Sequence, residues 1–200
     1  MAFNAYLIFH KSARKNPGEG ICGESTSDIV KGTGAIEVGD YGFGVSMPVT
    51  SARSDGGGAT VGRCNFDVFT CTKNIDTATP YLVQYCCSGK NIQSIVLHLF
   101  RAGAELSEEA SGVVKYAMVV FQNCVITKVG VSGSGEDLPK ESLEFNYGYC
   151  EYQYRMTEKT SGKKTQTTPG FGWSTVTNKM IRSGQGFDDF EPADAVESGK

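Results

Sequence analysis

Along residues 2–10 the apolar side chains fall at every second position, Phe3, Ala5, Leu7 and Phe9, the spacing of a strand with one buried face. Residues 11–34 carry Lys, Ser, Asn, Pro and several Gly and read as a loop. The two-residue period returns at Ala35, Ile36, Glu37 and Val38, and the Gly39–Gly44 segment interrupts the extended run that follows. Between 46 and 62, Pro48, Ser51, Ser54 and the triplet Gly56, Gly57 and Gly58 leave few groups able to join a core, which predicts an exposed arm or long loop. Long loops in compact domains tend to be functional. Within 62–72 the apolar face runs through Cys64, Phe66 and Val68 and then switches to Phe69 and Cys71, a slip that a one-residue bulge explains.

One helix is predicted, over 80–88. Thr79 can cap it, Pro80 suits its first position, Gly89 can take the left-handed stop, and Tyr81, Leu82, Tyr85 and Cys86 form a stripe that packs on a sheet. Strands follow at 92–101, 113–121, 124–131 and 142–154. In the last, Leu143, Phe145, Tyr147 and Tyr149 share a face before it changes to Tyr152 and Tyr154, placing a bulge at 148–150. Residues 157–170, with Lys159, Lys163 and Lys164, read as a loop, and the acidic stretch 183–200 as a disordered tail. The expected architecture is one mainly β domain over 1–182, a compact β-barrel of two sheets with one short flanking α-helix, followed by that tail.

Composition supports this. Of 200 residues 25 are Gly, one in eight against a usual share of about 7%, so the chain turns often. Its net charge of −3 conceals a division: Asp188, Asp189, Glu191, Asp194 and Glu197 against Lys200 leave only +1 for the rest, too little for a phosphate-binding surface built on bulk charge. Nucleic acid is therefore not an expected partner. The early apolar run Ala5–Phe9 is far shorter than a membrane span, and no basic segment precedes it, so neither membrane insertion nor a secretory signal is expected.

Seven cysteines, an odd number spread along the chain, read as reduced thiols rather than a disulfide framework. The close ones are adjacent (Cys86, Cys87) or seven apart (Cys64, Cys71), and there are two His, so no metal site is expected. Cys86 or Cys87 with His98 is the one nucleophilic pairing available, yet both thiols sit toward a helix C-terminus, where nothing activates them. Gly162-Lys163-Lys164-Thr165 lacks the upstream Gly and the spacing of a phosphate loop, and Gly56–Gly58 has no following helix to hold an anion. Tyr147, Tyr149, Tyr152 and Tyr154 offer a stacking platform of which half should face the core. No catalytic residue, cofactor or metal is predicted.

The order of motifs resembles the Hcp family, the haemolysin-coregulated tube proteins of bacterial type VI secretion systems. The likeness rests on Ala5-Tyr6-Leu7-Ile8, Gly23-Glu24-Ser25-Thr26, Ile36-Glu37-Val38, Gly44-Val45-Ser46, Gly57-Gly58-Ala59-Thr60-Val61-Gly62-Arg63, Thr72-Lys73, Asp76 and Pro80-x-Leu82. It continues through Gly89, Arg101-Ala102-Gly103, Asp137-Leu138-Pro139, Phe145-Asn146-Tyr147-Gly148 and Gly172-Trp173, covering roughly 1–180. The resemblance implies a homohexameric ring that stacks into a tube inside a contractile sheath, behind a VgrG-type spike, with small effector proteins carried in the lumen. Such a protein is a structural conduit, cytoplasmic when assembled and then delivered into the medium or a target cell.

Three features depart from the family pattern: a longer 11–22 segment, Ala35 where an aromatic residue commonly precedes Ile-Glu-Val, and the acidic tail. The arm, with Val45, Met47, Arg53, Gly56, Gly57, Gly58 and Arg63, is the candidate for inter-subunit contact, its arginines facing a neighbour's carboxylates. A tube protein of another contractile, phage-tail-like system and a carbohydrate-binding β-sandwich using the Tyr cluster are the alternatives, with a hydrolase third.

Overall fold

The computed structural model describes residues 3–14, 20–49, 62–102, 113–133, 135, 138–157, 164–182 and 184–192. The elements are β1 (Phe3–Phe9), a 3-10 turn (Asp28–Val30), β2 (Ile36–Val38), β3 (Tyr41–Gly42), β4 (Val45–Ser46), β5 (Asn65–Phe66), β6 (Phe69–Asn74), α1 (Thr79–Ser88) and β7 (Asn91–Ala102). There follow β8 (Val113–Ser132), β9 (Lys140–Asn146), β10 (Tyr149–Thr157), β11 (Lys164–Ser174) and β12 (Lys179–Met180). Among the described residues ten strands form one sheet along β12-β11-β10-β8-β7-β1-β2, with β9, β6 and β3 continuing from the other half of β8; β4 and β5 form a second, two-stranded sheet. Gly39 and Asp40 alone separate β2, which pairs with β1, from β3, which pairs with β6, so the curl of the sheet is completed along the chain rather than by a ladder between β1 and β6.

The inner face of this curled sheet carries the core. Phe69 lies at its centre, its ring centroid 4.6 Å from Phe145 and 5.2 Å from Phe121, amid Leu7, Phe9, Leu97, Val119 and Leu143. The other face of β1 and β7 is buried as well: Tyr6, Ile8 and Phe100 pack with Val30 and Ala35. Thus β1 has two buried faces where its alternation predicts one, and Ser94 to Phe100 is buried without a break. A strand covered on both sides needs no polar alternation.

Two boundaries differ from expectation for the same reason. Residues 113–132 form one strand, not two, because Asn123 takes a left-handed φ of 54° and bends β8 without ending it. Opposite that bend the predicted strand 142–154 is instead broken at 147–148, where Asn146 Oδ1 accepts the Tyr147 N–H at 2.8 Å and Gly148 N–H donates to Gln122 at 2.9 Å. The switch within 62–72 is likewise not a bulge: Phe66 belongs to the small sheet, Phe69 to the large one. Part of the predicted loop 157–170 is strand, since β11 starts at Lys164. The tail expectation fails for 184–192, where Gln185 and Phe187 are buried on the outer face; residues 193–200 lie outside the described residues.

Helix α1 ends as predicted, Gly89 holding φ 59° at its C-terminus, while its cap is Ala78 rather than Thr79. Leu82 is its buried contact, and Tyr81, Tyr85 and Cys86 pack beside it. The Thr79 hydroxyl instead donates to Glu141 Oε2 at 2.5 Å and accepts the Asp76 N–H at 3.2 Å. Both partners belong to a buried charge cluster. Lys73 shares the inward face of β6 with Phe69 and Cys71, lies directly opposite Glu141 on β9, and has a wholly buried side chain with Nζ 3.1 Å from Glu141 and 2.8 Å from Asp76. This cluster ties the start of α1 to the sheet. Removing one partner strands a buried charge, so Lys73→Ala should lower stability by about 3–5 kcal/mol in urea denaturation. The apolar double variant Lys73→Met with Glu141→Leu should lose much less.

Candidate interaction surfaces

The side chains proposed for nucleophilic chemistry are not brought together. His98 points to the outer face of β7, stacked on Phe190 at 5.1 Å, whereas Cys86 packs from α1 onto the inner core. Burial holds His98 well below the ordinary histidine value, and the Lys115 charge adds to this. All seven cysteines are free. Among the described residues no three His, Cys, Asp or Glu gather into a metal-binding group, and no helix is long and apolar enough to cross a membrane. The Gly23-Glu24-Ser25-Thr26 segment serves structure: Glu24 accepts the Thr77 N–H at 3.1 Å, and Thr77 donates to Cys22 at 3.0 Å, fastening this loop to the approach to α1.

Among the described residues two groups of exposed apolar side chains stand out. The first is the base of the arm, where β4 and β5 pair as Val45 with Phe66 and Ser46 with Asn65. Gly62 N–H donates to the Pro48 carbonyl at 3.1 Å and continues the pairing outward. Phe66 turns inward, 6.3 Å from the Tyr147 ring, while Val45, Met47 and Val49 are left in solvent. Arg63 donates to the carbonyls of Thr175 and Val176 in its own chain rather than to a carboxylate, fixing the hairpin against the end of β11. Arg53, Gly56, Gly57 and Gly58 lie outside the described residues.

The second surface is aromatic and grows from sheet geometry. Cys150 of β10 lies in the core, and side chains two, four and six residues on must share its face. Those are Tyr152, Tyr154 and Met156, and they outrun the covering layer, being 42%, 37% and 60% exposed. Across the ladder Phe171 pairs with Tyr152, is 56% exposed, and stacks 6.2 Å from Trp173. On the other side Tyr116 meets Tyr154 edge-on at 6.4 Å, and the Arg101 guanidinium lies 5.7 Å from the Tyr116 ring. Partial burial, with the Tyr116 phenol adding to it, raises Tyr41 and Tyr152 above the ordinary phenol value. Of the four predicted platform tyrosines, Tyr147 and Tyr149 are buried and donate to Asp67 and Glu151, leaving Tyr152 and Tyr154 for the surface. A contiguous patch of this kind marks a contact site, where scattered apolar residues would not.

Residues 16–154 match the protein family described as "Type VI secretion system effector, Hcp". The Hcp1 protein of Pseudomonas aeruginosa is 28% identical over 113 residues, a match spanning 56% of this chain and 65% of that protein, just under two thirds of its length. The fold is similar to a solved type six secretion system protein, at 25% identity and a TM-score of 0.74 over 90% of this chain and all of the other. Hcp1 from Salmonella typhimurium has the same fold, with 24% identity and a TM-score of 0.63 over 90% of this chain and all of that one.

Thiol burial gives a direct check on the arrangement. Burial pushes Cys71 up to about 12, with Lys73 opposing and Glu141 adding to the shift, and Cys150 up to about 12, with Glu151 adding; burial raises Cys124 well above the ordinary thiol value. In native protein treated with iodoacetamide near pH 8, exposed Cys87 should be alkylated first. Peptide mass spectrometry should show Cys71, Cys124 and Cys150 reacting more than about a hundredfold slower until denaturant is added.

Proposed function

The chain belongs to the Hcp family of type VI secretion proteins, and from that premise we propose that it is the structural tube subunit of such a system. Six copies close into a ring, rings stack into a tube, and a contractile sheath drives the tube outward behind a VgrG-type spike with small effector proteins in its lumen. The subunit works by assembly and has no catalytic role. It assembles in the cytoplasm and leaves the cell with the tube.

The observation that carries this reading is the aromatic face of β10 and β11. Tyr152, Tyr154, Met156 and Phe171 continue the inward face of the sheet past the layer that covers it, so the chain holds a strip of core surface that it does not itself bury. A neighbouring subunit in a ring buries such a strip, and a closed ring repeats that contact at every interface. Val45, Met47 and Val49 on the β4–β5 hairpin supply a separate apolar surface, suited to the next ring.

The two surfaces predict separable defects. Tyr152→Glu combined with Phe171→Glu should abolish ring views in negative-stain images and weaken assembly by more than about tenfold, with the far-ultraviolet circular dichroism unchanged. Deleting Gly56–Gly58 should leave rings intact and shorten or abolish tubes. A charged double variant that assembles like the parent would overturn the assignment of the aromatic face, and a deletion that stacks normally would overturn that of the arm.

A further inference from the structure

Residues 184–192 cross the outer face of β7, β8 and β10, held there by aromatic, acidic and backbone groups of the segment. Phe187 enters a patch of Val96, Met118 and Val120. Arg155 grips both carboxylate oxygens of Asp188 at 2.8 Å, with its guanidinium 4.2 Å from the Phe187 ring. Phe190 stacks on His98 and on Phe100, 6.3 Å away. Gln153 Nε2 donates to the Gln185 carbonyl at 2.9 Å, and Arg14 binds Glu191 farther along. The groove therefore fits an aromatic–acid–acid–aromatic segment, which Phe187-Asp188-Asp189-Phe190 supplies from the same chain.

We propose that residues 184–192 form a releasable strap over this groove and that proton uptake by Lys115 loosens it. Lys115 sits beneath the strap because Tyr116 is an extra residue in the β7–β8 ladder, where the register slips between Leu99–Ala117 and Phe100–Lys115 and turns Lys115 to the outer face. Its Nζ lies 5.1 Å from the Phe187 ring and 4.9 Å from the Phe190 ring, with no hydrogen-bond acceptor among the described residues. Two rings attract a cation but do not replace its hydration shell. The charged and titratable groups facing it are His98 from β7, Arg155 from β10, and Asp188 and Asp189 from the strap.

Burial under the strap brings Lys115 down to about 7; Asp188 and Asp189 oppose the shift and Arg155 adds to it. When the strap lifts, Lys115 meets water and regains the ordinary lysine value of 10.5. Between those two values the open form binds more protons than the closed one, so closure strengthens as pH rises through that window. The full penalty is present below about pH 7.

Chymotryptic cleavage after Phe187 in the full-length protein, divided by the cleavage rate of a free peptide of residues 184–192 at the same pH, reads strap opening. Protection should rise by more than about tenfold from pH 7 to pH 9. Lys115→Met, which matches its apolar surroundings, should be well protected at pH 7 and show no slope. Arg155→Ala should lose protection at both pH values and keep the slope. Flat protection in the parent protein overturns the proposal without any variant, as does a slope that survives in Lys115→Met.

Discussion

Strand β8 pairs with β7 on one edge and with β10 and then β9 on the other, so the large sheet curls only as β8 bends. The bend is at Asn123, one of two non-glycine residues with positive φ among the described residues, and the β9–β10 junction at 147–148 lies across from it. Before the bend β8 contributes Ala117, Val119 and Phe121 to the core; after it, Cys124 and Ile126. One strand thus lines the same hydrophobic interior from both halves of the sheet. The cost of a left-handed residue is small for Asn, whose short polar side chain tolerates that conformation.

Curling has two consequences for surfaces. The inward face closes over Phe69 and its neighbours but is longer than the layer facing it, which leaves Tyr152, Tyr154, Met156 and Phe171 uncovered. The outward face carries apolar residues too, beside buried polar and charged ones, and the chain covers it from two sides: the 28–35 loop brings Val30 and Ala35 over Tyr6 and Ile8, and the strap brings Phe187 over Val96, Met118 and Val120. The chain thus satisfies its outer face by itself and leaves its inner face unfinished. This asymmetry suits a subunit that completes its inner face by contact with copies of the same chain.

Local pattern made part of this legible. The alternation in β1, the proline and glycine that bracket α1, and the Gly-rich arm all have short-range physical causes, and β1, α1 and the base of the arm appear where the pattern places them. The features that were not legible depend on distant partners. Lys73 occupies an inward position because Glu141 stands opposite it on a strand nearly seventy residues later. Residues 184–192 look unstructured by composition, yet two phenylalanines and the Arg155–Asp188 pair suffice to dock them on a face prepared elsewhere. Arg63 reads as a partner for a neighbour's carboxylates, whereas the turn at 175–178 places two carbonyls of its own chain beside it. For the interaction surfaces, the Gly-rich composition pointed to the arm, while the aromatic strip needed the register of β10 against β8 to show which tyrosines remain outside.

The central claim is tested most directly by a cryo-EM reconstruction of the assembled full-length protein. It should show Tyr152, Tyr154 and Phe171 buried against a neighbouring subunit in a six-membered ring, with the outer sheet face turned away from that contact. An assembly in which this aromatic strip faces solvent and the subunits meet through another surface would contradict it.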